Sequence, residues 1–162
     1  MFRPIVVAPH SALKTVAKSV VEVNDHVRDL LNDMVETMYT DHGCGLAANQ
    51  INLLARMLVM DCSKDLNQPM KLINPEITWE SKKKVTHKEG CLSFPEIFVD
   101  VARFEKVKVK YLDENGSSKE ELFEDYWSIC VQHEIDHLNG ITFIDHLGKQ
   151  EQRRILDKIQ RR

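Results

Sequence analysis

The chain has 162 residues, of which 43% are hydrophobic and 29% are charged, and this composition fits one globular domain with its own core. The formal net charge is −3, so no overall positive charge favours nucleic acid as a partner. No apolar run approaches the roughly 20 residues that a membrane span needs, so we expect no membrane contact.

The first predicted elements are a strand and a helix. The N-terminal sequence MFRPIVVAPHS has too little charge and too short an apolar run for a secretory signal, and it is predicted to form an opening strand. The next segment, residues 24–39, places apolar residues on one helical face, with Asn24 positioned to cap the start. That face consists of Val27, Leu30, Leu31, Met34 and Met38.

The middle of the chain is predicted to form strands. Short apolar or alternating runs occur in ARMLVMDC, KLINPEITW and KVKVKYL, and the turn sequence DENG leads into a paired strand, KEELF. A second helix is predicted from about Asp125 to Asn139, capped by Gly140, and the closing segment KQEQRRILDKIQRR forms a third. Strands clustered between flanking helices favour the α+β class.

The segment CVQHEIDHLNG on the second helix suits a metal site. His133 and His137 lie one turn apart and can reach one ion, while Glu134 points away from both and can reach a water held by it. This division of roles suits metal-assisted hydrolysis. The alternative is a polar helix with incidental histidines, but unpaired histidines and carboxylates are costly on a helix that we expect to be buried.

The third ligand has to come from another segment. The long zinc-protease pattern HExxHxxGxxH fits at Gly140 and fails at Phe143, and a downstream glutamate would have to be Glu151 in the basic tail. Upstream, KEGCLSFPE offers Cys91, whose thiolate is a strong ligand for divalent first-row metals. A buried structural thiol is the alternative for Cys91, and the incomplete ligand set of the helix favours the metal ligand.

The loop GCGLAANQ is a further candidate element of the site. Gly43 and Gly45 permit a close backbone approach or a sharp turn, and Gln50 carries an amide donor that could polarise a carbonyl oxygen. An ordinary turn is the alternative. The four cysteines contain no CxxC pair, so we expect free thiols in a reducing cytoplasm, each by default a small buried apolar residue.

Three motifs in chain order closely resemble the peptide deformylase family: GCGLAANQ at 43–50, EGCLSFP at 89–95 and QHEIDH at 132–137. The family pattern is GxGxAAxQ, EGCLS and HExDH, and every fixed position is met. The resemblance extends over most of the chain. It implies mixed, mainly antiparallel sheets packed around a central helix that carries HExDH. It also implies hydrolysis of the N-terminal formyl group of formylmethionyl nascent polypeptides, with release of formate.

The resemblance also implies the metal ligands and the catalytic groups. Cys91, His133 and His137 would bind one divalent ion per chain, Fe²⁺ physiologically, with Zn²⁺, Ni²⁺ or Co²⁺ as alternatives. A water in the fourth coordination position would be activated by Glu134. The oxyanion would be stabilised by the Gln50 amide and the Leu92 N–H.

The substrate-binding residues follow from the same resemblance. An apolar pocket for the methionine side chain would be lined by Cys44, Ile129 and Cys130, and Gly45 and Glu89 would bond the peptide backbone. Four positions depart from the residues common in the family and bear on pocket shape and peptide preference: Phe98 in place of arginine, Asp125 in place of glycine, Ser128 in place of alanine, and His87 in place of an apolar residue.

The basic tail gives a further expectation about partners. Residues 149–162 contain six basic and two acidic residues, a net charge of +4. A solvated helix face is the simple interpretation. The resemblance adds weak, salt-sensitive contact with ribosomal RNA. We expect residues 1–148 to form the catalytic domain and residues 149–162 a short basic helix packed on it or extending from it, and we expect a monomer.

The sequence is also consistent with two functions of other classes. Cys91 could be a nucleophile activated by His133, which would make the protein a thiol hydrolase whose activity survives metal removal. The chain could also be a non-catalytic relative that binds metal or formylated peptides without turnover. The presence of Glu134 and Gln50 argues against the second interpretation.

Overall fold

The computed structural model describes residues 1–161. These residues fold into the helices α1 (Asp25–Thr40), α2 (Asp125–Leu138) and α3 (Lys149–Gln160). The strands are β1 (Gly45–Ala47), β2 (Met57–Met60), β3 (Met70–Glu80), β4 (Lys84–Cys91), β5 (Phe94–Phe104), β6 (Val107–Leu112) and β7 (Ser118–Phe123). Three single turns of 3₁₀ helix lie at Ser11–Lys14, Ala48–Ile51 and Phe143–His146.

Five strands form one sheet in the order β1-β2-β3-β6-β7, and β4 pairs with β5 as a separate hairpin. Every pairing between these strands is antiparallel, so the predicted α+β class with mainly antiparallel sheets is confirmed. The predicted strands correspond to β2, β3, β6 and β7. The sequence patterns did not indicate β1, β4 or β5.

The predicted N-terminal strand is wrong. Residues 1–10 belong to no strand, and residues 8–9 form a turn. The Val6 N–H donates to the Gln50 carbonyl at 2.8 Å, and the Ala8 N–H donates to the Ser93 carbonyl at 2.9 Å. Because the Val6 and Ala8 amides bond to two different segments, they form no continuous ladder with one neighbouring strand.

Helix α1 follows the prediction closely. The Asn24 side chain accepts a hydrogen bond from the Val27 N–H at 3.0 Å, which caps the helix start. All five apolar residues of the predicted face are buried, and they form a core cluster with residues of β1, β2 and β3. This cluster fixes α1 on one side of the five-stranded sheet.

Helix α2 is buried along most of its length. Every residue from Ser128 to Leu138 except Asp136 is buried, and the helix packs against β1, β2, β7 and β5. Gly140 follows the end of the helix with a φ of +73°, where a Cβ atom would lie 2.8 Å from the Lys14 carbonyl oxygen. Glycine therefore permits both the left-handed turn and the close backbone approach.

A separate core cluster joins the β4–β5 hairpin to the C-terminal part of the chain. Ile155 and Ile159 of α3 are buried there with Ile97 of β5 and with Phe143 and Ile144. The remaining face of α3 is exposed and basic. Among residues 1–161, no helix has the length and apolar character needed to cross a bilayer.

Candidate metal centre and catalytic cleft

A cleft of about 440 Å³ lies where three segments meet: the loop before β1, the turn of the β4–β5 hairpin, and α2. The cleft is lined by most of the residues singled out from the sequence, namely Cys44, Gly45, Gln50, Glu89, Cys91, Leu92, Ile129, Cys130, His133 and Glu134. His137 lies deeper, fully buried on α2 behind His133.

The three predicted ligands converge beside this cleft. One donor atom from each of Cys91, His133 and His137 lies within 4.8 Å of the other two, and Cys91 Sγ lies 3.4 Å from His137 Nε2. A sulfur and a nitrogen bound to one tetrahedral ion, at about 2.3 and 2.0 Å, are about 3.5 Å apart. The spacing and the thiolate–imidazole donor set therefore fit a single first-row divalent ion.

A buried carboxylate orients the first imidazole. Glu89 Oε1 lies 2.8 Å from His133 Nδ1, which leaves Nε2 of that ring for the metal. Arg103 holds Glu89 through two hydrogen bonds, from Nε at 2.8 Å and from Nη2 at 2.9 Å. Burial alone would raise the pKa of Glu89, but the hydrogen bonds from Arg103 and His133 lower it to about 2, so the carboxylate is ionised.

Arg103 also ties the hairpin to the later part of the chain. Its Nη1 donates to Asp136 on α2 at 2.7 Å, and Asp136 in turn lies 2.9 Å from His146 Nε2. Arg103 and Glu89 are each only 4% exposed, which makes this a buried ion pair with a second carboxylate at its edge. The sequence motifs gave no indication of this function for Arg103.

The second imidazole is in the form that binds metals. Burial, followed by the nearby His133 and Arg103, holds the pKa of His137 well below its usual value, so the ring is neutral. Within residues 1–161, the buried His137 Nδ1 has no hydrogen-bond partner. Its other nitrogen, Nε2, faces the Cys91 sulfur.

Glu134 has the environment of a general base. It is 4% exposed, and burial raises its pKa to about 7 in the metal-free protein, although His133 acts in the opposite direction. The buried Glu134 Oε1 has no partner among the described residues. The other oxygen accounts for the glycine at position 45, because a Cβ atom there would lie only 2.6 Å from Glu134 Oε2. Gly45 thus lets the backbone approach the carboxylate closely.

The Gln50 amide is fixed with its donor towards the metal ligands. Oε1 accepts from the Ala47 N–H at 3.0 Å, while Nε2 donates to Ser93 Oγ at 3.2 Å and lies 3.6 Å from Cys91 Sγ. Leu92 directly follows Cys91 and lines the same cleft. Both groups therefore border the space in front of the candidate metal centre.

The predicted substrate-binding residues surround the cleft, and their contacts differ. Cys44, Ile129 and Cys130 line its wall, where an apolar side chain could enter. Both oxygens of Glu89 already bond to Arg103 and His133, so a substrate-binding role for Glu89 stays a prediction.

The four residues that depart from the family pattern lie in different surroundings. The Phe98 side chain lines the cleft, is 65% exposed and lies over Gly90, where a Cβ atom would be 2.7 Å from its ring. Ser128 donates to the Phe104 carbonyl at 3.1 Å. His87 and Asp125 are exposed at the surface, and neither lines the cleft.

Comparison with known proteins gives a consistent result. The sequence model of the polypeptide deformylase family matches residues 2–153. A peptide deformylase from Phenylobacterium zucineum is 44% identical over 161 residues, covering 98% of this chain and 95% of the relative. The crystal structure of peptide deformylase from Ehrlichia chaffeensis superposes with a TM-score of 0.96 at 35% identity, over 99% of this chain and 96% of that one. The same enzyme in complex with actinonin gives a TM-score of 0.95 at 36% identity, with the same coverage.

The hydrogen bond between Glu89 and His133 yields a prediction about metal affinity. The Glu89→Gln variant keeps the shape of the side chain but removes the charge that orients His133, so metal affinity should fall about 10- to 100-fold. Titration against a competing chelator measures this change.

The matched control is Asp136→Asn, which also removes a carboxylate partner of Arg103 but has no contact with His133. Its metal affinity should stay within a few-fold of the original protein. Equal affinity in Glu89→Gln and the original protein would show that Glu89 does not position the ligand.

Proposed function

The chain belongs to the polypeptide deformylase family, and we propose that it hydrolyses the N-terminal formyl group of formylmethionyl nascent polypeptides, releasing formate. One observation carries the proposal: Cys91, His133 and His137 converge on a point at the edge of the cleft, beside the buried Glu134. The donor set would hold a metal ion, and the adjacent carboxylate can accept and donate the proton that amide hydrolysis has to move.

Cys91, His133 and His137 would hold one divalent ion, physiologically Fe²⁺, with Zn²⁺, Ni²⁺ or Co²⁺ able to replace it. When bound, the ion supplies Lewis acidity towards the formyl oxygen and makes water a better nucleophile at neutral pH. The thiolate of Cys91 completes a set that the two imidazoles of α2 cannot complete alone. Arg103 and Glu89 support the geometry by fixing the His133 ring.

Glu134 would move the proton. Its carboxylate takes a proton from the attacking water and then passes it to the amine that leaves as the C–N bond of the formamide breaks. A buried carboxylate is suited to both steps, because burial raises its pKa and so makes it a stronger base than an exposed glutamate. The Oε1 atom, unpaired among the described residues, is available for that water.

Gln50 and Leu92 would stabilise the charge that develops on the formyl oxygen. The Gln50 amide is already oriented by Ala47 and Ser93, so no reorganisation is needed when the charge forms. The Leu92 N–H would donate from the backbone next to Cys91. The methionine side chain would enter between Cys44, Ile129 and Cys130, and Gly45 and Glu89 would face the peptide backbone.

The direct test is an anaerobic deformylation assay on formyl-Met-Ala-Ser with the Fe²⁺-loaded protein, before and after chelation. We expect turnover that the chelator abolishes and that added Fe²⁺ restores. In Glu134→Ala, hydrolysis should fall by about 10²- to 10⁴-fold while one metal ion per chain is retained, because a base is lost and no ligand is removed.

The other outcomes of this assay have clear meanings. Activity that survives chelation but is lost on alkylation of Cys91 would favour a thiol hydrolase. An absence of turnover in the fully loaded protein would favour a non-catalytic binding protein. Loss of metal from Glu134→Ala would make Glu134 a ligand.

The oxyanion role of Gln50 gives a second kinetic prediction. In Gln50→Leu the apolar side chain keeps a similar volume but lacks the donor, so kcat should fall by about 10²- to 10³-fold. KM should change little, because the lost interaction strengthens only in the transition state. Steady-state kinetics at full metal occupancy check this, and an unchanged kcat would discard the role of Gln50.

We also propose that the exposed basic face of α3 makes a weak contact with the ribosome in the cytoplasm. Arg153, Arg154 and Lys158 are exposed, whereas Ile155 and Ile159 anchor the helix in the core. Deleting residues 149–162 would therefore uncover apolar surface. Replacing the three basic residues by glutamine removes the charge and leaves the anchor.

This triple variant should pellet with ribosomes less than the original chain at low salt, and the difference should shrink as salt increases. The matched control replaces Lys82, Lys108 and Lys110, three exposed lysines elsewhere, by glutamine. Equal pelleting of the two triple variants and the original chain would reject the contact.

A further inference from the structure

Three of the four cysteines come together outside the candidate metal centre. Cys44 lies in the loop before β1, Cys62 follows β2, and Cys130 lies on α2. Their Sγ atoms all lie within 4.8 Å of one another, and Cys44 Sγ and Cys130 Sγ are 4.0 Å apart. All three are free thiols. We call this group the three-thiol cluster.

The cluster is separate from the Cys91–His133–His137 centre but close to the proposed base. A Cβ atom on Gly45 would lie 2.7 Å from Cys130 Sγ and 2.6 Å from Glu134 Oε2. The cluster and that carboxylate therefore both contact the same side of the Gly45 backbone. Cys44 and Cys130 line the cleft, which gives solutes a route to the sulfurs. Cys62 is partly buried beside them and does not line the cleft.

The sulfur spacing matches coordination of an ion by the cluster. A disulfide needs two sulfurs about 2.05 Å apart. Two sulfurs bound to the same ion at about 2.3 Å are about 3.8 to 4.0 Å apart, for tetrahedral or trigonal geometry. The 4.0 Å between Cys44 Sγ and Cys130 Sγ agrees with the second case. Little movement of the protein would be needed to place an ion among the three sulfurs.

The chemistry around the cluster favours a soft cation. The three cysteines belong to, or pack against, a core cluster of apolar residues that includes Ala47 and Met60. Hydrogen bonds from Cys130 and Cys62 lower the pKa of Cys44, which favours the thiolate form that binds a metal ion. A cation that binds would replace the remaining thiol protons, which are released to solvent, and because three thiolates carry more charge than Zn²⁺ or Cu⁺ the occupied site would stay net negative.

We propose that Cys44, Cys62 and Cys130 form a second, sulfur-only site that binds one thiophilic cation, Zn²⁺ or Cu⁺, through three thiolates. Thiolates prefer these ions, whereas Mg²⁺ and Ca²⁺ prefer oxygen ligands. The cleft side of Cys44 leaves room for a solvent ligand, which Zn²⁺ requires as its fourth, while three sulfurs alone suffice for Cu⁺.

A cation at this site would inhibit the enzyme, a consequence that rests on the proposed function. Cys44 and Cys130 form part of the wall where the methionine side chain would enter, and Glu134 is adjacent. An ion there, together with any solvent ligand that it carries, narrows the pocket in which the methionine side chain would bind. Micromolar Zn²⁺ or Cu⁺ should therefore inhibit deformylation without displacing the catalytic metal.

The test measures metal content. Protein carrying one Ni²⁺ per chain at the Cys91 centre is titrated anaerobically with Zn²⁺ or, separately, with Cu⁺, in the presence of a weak competing chelator. After gel filtration, elemental analysis should find one Ni²⁺ and one further ion per chain. The arm that yields the second ion identifies the metal.

Two substitutions at Cys62 probe the site without altering the cleft. Both Cys62→Ser and Cys62→Val should retain Ni²⁺ but lose the second ion. Zn²⁺ or Cu⁺ should then no longer inhibit these variants, and each variant is compared with its own activity without the added ion. Retention of one Ni²⁺ and an unchanged circular dichroism spectrum show that a variant is folded. The valine variant serves if serine perturbs the packing.

The matched control is His42→Ala, because His42 is a metal-binding residue type on the same cleft, two residues from Cys44 and outside the cluster. It should keep the second ion. A single ion per chain in both titrations of the original protein, or a second ion that persists in the Cys62 variants, would overturn the proposal. These readouts need no turnover, so they are independent of whether the deformylase assignment holds.

Discussion

The buried ion pair between Glu89 and Arg103 is the interaction on which the rest of the site depends. Ions removed from water are costly unless they are closely paired and hydrogen-bonded, so this pair forces β4, β5 and α2 into one relative position. The strand that carries Glu89, β4, also ends at Cys91, and the helix that contacts Arg103 carries both histidines. Correct closure of the ion pair therefore brings the sulfur and the imidazoles together and orients one ring directly.

The candidate metal ligands could be predicted because they lie in short motifs, and two of them lie on a helix with a clear apolar pattern. The i, i+4 spacing of His133 and His137 and the apolar surroundings of α2 predicted a shared ion, and the missing third ligand directed attention to Cys91. The hairpin itself was not predictable from local pattern. Much of β4 is exposed and polar, so it shows no alternation, and the register shifts between Gly90 and Cys91. Arg103 depends on that long-range pairing, as does its partner Glu89.

The N-terminal segment and the three-thiol cluster both depend on contacts between distant parts of the chain, which local sequence patterns do not show. Extended backbone can be read from MFRPIVVAPHS, but whether it forms a strand depends on which distant carbonyls it meets, and here they are those of Gln50 and Ser93. The cysteines at 44, 62 and 130 are far apart in sequence and lack any ligand-like spacing. Only the packing of α2 against the edge of the sheet brings their sulfurs together.

Phe98 at the rim of the cleft has a consequence for inhibitor design. Where family members often carry an arginine, this chain presents an aromatic ring stacked over Gly90 and largely open to solvent. A compound that relies on an acidic arm to engage a guanidinium at that rim would lose its anchor here. One with a flat apolar or cationic group could instead stack on the ring. Selectivity among deformylases could thus be sought at the entrance of the cleft, away from Cys91, His133 and His137.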